Sequence, residues 1–72
     1  MNKQELLKLF GKNVKIARIK KDLTQEQLAE HMNVSQNYIA SIECGRANMS
    51  LWKMYELAVN LQCRFEDLVN FS

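Results

Sequence analysis

Along the chain the apolar residues return every three or four positions and do not alternate, which is the period of amphipathic helices and not of strands. Leu6, Leu7, Phe10, Val14 and Ala17 form the first stripe, which fades in the charged run Lys20, Lys21 and Asp22. Leu28, Ala29 and Met32 form a second, and Ile39 with Ile42 a third. Leu51, Met54, Leu57, Ala58 and Leu61 form a fourth, and Phe65, Leu68 and Val69 close the chain. An all-α, five-helix domain is the expectation.

The polar residues between the stripes punctuate them. Asn2 with Glu5 and Thr24 with Gln27 have capping-box spacing, in which each side chain satisfies a free backbone N–H of the other residue. Ser35 and Ser50 are good N-caps for the third and fourth helices. Asn33 suits the left-handed backbone that ends a helix, and Gly45 suits it better still. Gly11 falls inside the first helix, where glycine is tolerated at about 1 kcal/mol relative to alanine. These signals bound two short helices within residues 24–44 and two C-terminal helices at about 51–61 and 65–70.

Composition narrows the picture. The chain has 72 residues, no proline and two glycines, and its 47% apolar and 25% charged content is that of a folded globular unit. One domain over residues 1–72 is expected, with no room for a second, ligand-sensing domain; no small-molecule ligand is therefore expected. No apolar run reaches the length of a membrane span, and the N-terminus lacks the features of a signal peptide. The expected location is cytoplasmic. Cys44 and Cys63 have no CxxC spacing and only His31 as a possible companion, so two reduced structural thiols are expected and neither a metal nor a cofactor. His31, on the polar side of its helix, is expected to be solvated. One histidine and no phosphate-cradling glycine loop also give no basis for an enzyme.

The net charge of +2 hides an asymmetry. Residues 1–21 carry seven basic residues against Glu5 alone, while the remainder carries three basic and seven acidic residues. A basic face of this kind either attracts phosphates or is a solvated helix surface.

The second and third helices are joined only by Asn33, Val34 and Ser35, and so short a turn forces a steep crossing, the geometry of a helix-turn-helix. Val34 is the expected plug beneath the corner. The segment LTQEQLAEHMNVSQNYIASIECGR, Leu23 to Arg46, resembles the motif of the phage-repressor-like, Xre or Cro/C1-type, family of DNA-binding domains. The resemblance extends upstream to Arg18 and downstream through SLWKMYELAVNLQCRFEDLV, Ser50 to Val69. It implies a five-helix fold in which the third helix, Gln36 to Cys44, reads bases in the major groove of double-stranded DNA.

The spacing agrees. With Ile39 and Ile42 turned inward, Asn37, Ala40, Ser41 and Cys44 face outward and Gln36 occupies the exposed first turn. Gln and Asn can pair twice with adenine, Ser serves several bases, and Ala40 can meet a thymine methyl. Gln36, Asn37, Ser41 and Ala40 are the expected base-reading residues.

Phosphate contacts are expected first at Gln25, where the positive end of a helix dipole receives anions and where the family places such a contact. The resemblance adds Arg46 and Asn48 in the loop after the reader helix. Tyr38 and Lys20 are equally phosphate contacts or surface residues. Arg18 and Glu43 match a family pair that forms an internal salt bridge, a structural role. The chain departs from the family at Asn33, where glycine is common, at Met49, where proline is, and at Arg64, where a small N-cap is usual.

A single reader helix discriminates poorly against a genome of competing sites, whereas a two-fold dimer on a palindromic operator doubles the contacts at a spacing of about 34 Å. Trp52, Tyr55 and Val59, together with Phe65, Val69 and Phe71, are the candidate dimer surface. For Trp52, packing against Leu6, Leu7 and Phe10 is the equal alternative. The expected function is a homodimeric, sequence-specific transcription regulator. A protein-binding adaptor or antirepressor of the same fold is the second reading; a restriction–modification controller, a phage repressor and an antitoxin are the narrower ones.

Overall fold

The computed structural model describes residues 1–71, in which five helices succeed one another: α1 (Lys3–Lys20), α2 (Gln25–Met32), α3 (Gln36–Glu43), α4 (Leu51–Leu61) and α5 (Phe65–Leu68). The expected caps start these helices. Asn2 accepts from the Glu5 N–H at 2.8 Å, though the Glu5 carboxylate does not accept from the Asn2 N–H and the expected box is only half formed; Ser35 accepts from the Tyr38 N–H at 3.1 Å and Ser50 from the Lys53 N–H at 3.0 Å. Thr24 and Gln27 form the complete reciprocal box, at 2.8 and 3.0 Å. Arg64 has no acceptor to offer α5, so only half a box forms there, the Asp67 carboxylate accepting from the Arg64 N–H at 3.1 Å. With that weaker start α5 is a single turn that ends at Leu68, short of the expected residue 70.

Each helix gives part of its apolar face to one core: Phe10 and Val14, Leu28 and Ala29, Ile39 and Ile42, then Leu57, Ala58 and Leu61, and finally Leu68. A fully buried Leu or Ile in such a core stabilises by about 1.5 to 3 kcal/mol. The C-terminal segment is fastened to α1 by Asn13, whose side-chain amide donates to the carbonyls of Leu68 and Asn70, both at 2.9 Å.

The four connections turn on one left-handed residue each: Asp22 (φ 57°), Asn33 (φ 57°), Gly45 (φ 77°) and Gln62 (φ 53°). Asn33 and Gly45 were legible as helix stops; Asp22 and Gln62 were not.

Three expectations need correction. Leu51 does not join the buried stripe of α4 but is 69% exposed, because the first turn of that helix overhangs the core. Leu6 is likewise 41% exposed, so the stripe of α1 is centred on Phe10 and Val14. Gly11 is not a tolerated glycine but a required one. A β-carbon there would collide with the backbone carbonyl of Ile42 and come within 2.7 Å of that of Glu43, so α1 crosses the end of α3 at a separation only glycine permits.

Candidate nucleic-acid interface

The turn between α2 and α3 fixes the direction of α3. Asn33 takes φ 57° and ψ 45°, and the Val34 N–H reaches back to the Ala29 carbonyl at 3.0 Å, closing α2 in a Schellman arrangement. Val34 is half-buried against the core, as the plug of the corner must be.

From this start α3 buries Ile39 and Ile42 and presents its opposite edge. Gln36 and Asn37 are exposed there, and neither side chain has a hydrogen-bond partner among the described residues. Ser41 is half-buried and donates its hydroxyl to the Tyr38 carbonyl at 2.7 Å, which leaves it only accepting capacity. Ala40 is half-buried beside it, and Cys44 is exposed at the helix end.

A buried polar cluster holds this edge in position. Arg18 donates from Nε to Glu43 Oε2 at 2.7 Å, from one terminal nitrogen to Glu43 Oε1 at 3.1 Å, and from the other to the Leu23 carbonyl at 2.7 Å. The two side chains are 11% and 3% exposed. Gln25 adds its side-chain amide to Glu43 Oε1 at 3.0 Å. The α1, α2 and α3 backbones are thereby tied through one carboxylate, which the salt-bridge expectation contained only in part. Gln25 uses its amide inside the protein, and its backbone N–H, among the first of α2, has no acceptor within the helix and can meet an anion.

The other phosphate candidates divide. Arg46 and Asn48 are exposed in the loop after α3, and the Arg46 N–H donates to the Ser41 carbonyl at 2.9 Å, which ties the loop to the exposed edge of α3. Tyr38 is half-buried against the core, with Lys53 Nζ 5.9 Å from its ring centre. Lys20 lies on another edge of α1, lining a groove with Asn13, Cys63 and Asp67, and is not brought together with the rest.

Lys53 is a cation that sequence reasoning missed. It pairs with Glu56 at 2.9 Å, and that carboxylate holds its ammonium above the usual lysine range. Its position three residues after the Ser50 cap was the available signal. Among the described residues no cluster of His, Cys, Asp and Glu is placed to hold a metal, and no helix is long and apolar enough to cross a membrane.

The proposed dimer residues also fall into two groups. Trp52, Tyr55 and Val59 are exposed, the first at 66%, so the alternative in which Trp52 packs on α1 does not hold. The rings of Trp52 and Tyr55 meet at a tilt of 34° with centres 5.7 Å apart and, with Leu51 and Phe65, line an open apolar groove. Val69 and Phe71 pack instead on the core, bordering a second groove with Leu6, Leu7 and Phe10.

Comparison with known proteins extends these observations. Residues 14–68 match the family described as HTH_3, helix-turn-helix. The chain is 38% identical over 65 residues to the HTH-type transcriptional regulator y4dJ of Sinorhizobium fredii, covering 90% of this chain and 84% of that protein. It is 34% identical over 65 residues to the control protein C.BamHI of Bacillus amyloliquefaciens, covering 89% and 80%. Its fold superposes on the crystal structure of the restriction–modification controller protein C.AhdI of Aeromonas hydrophila with a TM-score of 0.80 and 32% identity, over 86% of this chain and 94% of that one. Five helices around a capped helix-turn-helix, matched over most of their length, place the chain in the HTH_3 helix-turn-helix family of DNA-binding transcription regulators.

Proposed function

We propose that the protein is a homodimeric, sequence-specific transcription regulator that acts in the cytoplasm on a palindromic operator, with α3 in the major groove. The observation that carries this reading is the pair of unengaged amides, Gln36 and Asn37, on an exposed edge whose neighbouring polar groups are occupied: Ser35 caps, Ser41 bonds back to its helix and Gln25 holds Glu43. Two amides held on a rigid helix and free of internal partners can each offer adenine a donor and an acceptor. Ala40 and the accepting oxygen of Ser41 add narrower contacts. The α2 N-terminus at Gln25, the loop residues Arg46 and Asn48 and, at its margin, Tyr38 contact phosphates and set the register.

The second copy covers the groove of Leu51, Trp52, Tyr55 and Phe65, an apolar surface that one domain leaves wet. The alignments with a control protein and a restriction–modification controller over most of their lengths favour a controller of that kind among the narrower readings.

Selection of binding sites from a random-sequence duplex library, repeated at several salt concentrations, tests the proposal. An enriched palindrome is expected, with preference at specific positions relaxed in Gln36→Ala and Asn37→Ala. No enriched site, or unaltered preference in both variants, would overturn it.

A further inference from the structure

Helix α1 carries a strip of lysines outside the helix-turn-helix. Lys8, Lys12 and Lys15 are spaced to share one edge of the helix, all three are exposed, and none forms an ion pair among the described residues. The contacts around α1 locate that edge. Asn13 faces the C-terminal segment, Phe10 and Val14 face the core, and Gly11 and Arg18 face α3. Lys8 and Lys15 follow about 60° further round in the same direction, and Lys12 lies next to them.

The strip therefore begins where the α1–α3 contact ends, on the side away from the core. Lys8 abuts Gly45, where a β-carbon would meet its Cα at 2.8 Å; Gly45 lies between Cys44 at the end of the reader helix and Arg46 in the loop. The strip thus meets the end of α3 at Lys8, which lies against Gly45, the residue before Arg46 in the loop. Glu5, three residues before Lys8, is the single acidic residue on α1 and borders the strip, and Glu43 of α3 is already engaged by Arg18.

We propose that Lys8, Lys12 and Lys15 bind the DNA backbone flanking the bases read by α3, as a second phosphate-contacting strip supplied by α1. This inference rests on the DNA-binding reading above. Lysine ammonium groups on flexible stems suit phosphates as point charges and carry no base preference. The strip would add affinity for any duplex long enough to reach it.

The test is the salt dependence of binding to an operator duplex with long flanks. Replacing all three lysines by glutamine, which preserves helix propensity, is expected to reduce the slope of log K against log salt by about 2 to 3, at roughly 0.9 per phosphate. The preference for operator over random duplex should stay unchanged. The triple Lys→Arg variant should keep the wild-type slope. Lys3→Gln, Lys20→Gln and Lys21→Gln together remove the same charge elsewhere and should change the slope little. An unaltered slope in the first variant, or an equal loss in the last, would overturn the strip while leaving DNA binding intact. Failure of the wild-type protein to bind any duplex would instead sink the regulator reading on which the strip depends.

Discussion

Glu43 receives Arg18 on both of its carboxylate oxygens, at 2.7 and 3.1 Å, and shares one of them with Gln25. Removing one member of a buried pair strands the other charge away from water, which typically costs about 3 to 5 kcal/mol. Arg18→Ala and Glu43→Ala are each expected to lose about 3 kcal/mol or more in urea unfolding. The double variant should lose less than the two single losses combined, since neither charge is then stranded. Additive losses would show that the pair is not coupled.

Gly11→Ala should also destabilise, against helix propensity. Alanine is the better helix former by about 1 kcal/mol, but its methyl group meets the α3 carbonyls and α1 must shift. Overpacking of this kind costs about 1 to 3 kcal/mol, so thermal unfolding should occur at lower temperature. A more stable alanine variant would mean that α1 and α3 separate without penalty.

The contrast between those two helices shows what a sequence can disclose. The caps at Asn2, Thr24, Ser35 and Ser50 were legible because a side chain and the N–H it satisfies lie three residues apart. The exposed edge of α3 followed from the same local geometry once Ile39 and Ile42 were turned inward. Gly11 against Ile42, Asn13 against Leu68 and the exposed positions of Leu51 and Trp52 depend on how distant segments meet, which periodicity does not encode. The apolar spacing placed Leu51 on the right stripe, yet nothing in it revealed that the core ends before the first turn of α4. The amide of Gln25 was read for its place at a helix start, and its engagement with Glu43 needed the third helix to be in position.

The two cysteines should differ in reactivity. Cys44 is exposed, whereas Cys63 is partly covered, and burial pushes its thiol up, helped by Asp67 and partly offset by Lys21. The thiolate is the nucleophile, so a raised pKa slows alkylation near neutral pH. Peptide mapping after brief treatment with iodoacetamide should find Cys44 labelled first, and the gap should narrow as pH rises. Equal rates in the folded protein at pH 7 would contradict the different environments of the two sites.

Loss of the apolar groove should separate the proposed dimer. Trp52→Ser with Tyr55→Ser removes the aromatic pair from a surface that the isolated domain leaves exposed, so its own stability should change little. Sedimentation at low micromolar concentration should show the wild type as a dimer and the double variant as a monomer. A wild-type monomer that persists on operator half-sites would refute the dimer.

The four corners of the chain carry a different kind of information. Each turns on a left-handed residue, and only one of the four is glycine. At Asp22 and Gln62 a side chain accepts a backbone conformation that disfavours it by roughly 1 kcal/mol. Neither corner adjoins Gln36 or Asn37 in the chain, so the strain there lies apart from the proposed base contacts. The domain thus keeps its reserve of improvable stability apart from the edge proposed to read DNA, and selection for a hardier fold and selection for a new DNA preference can act on different residues.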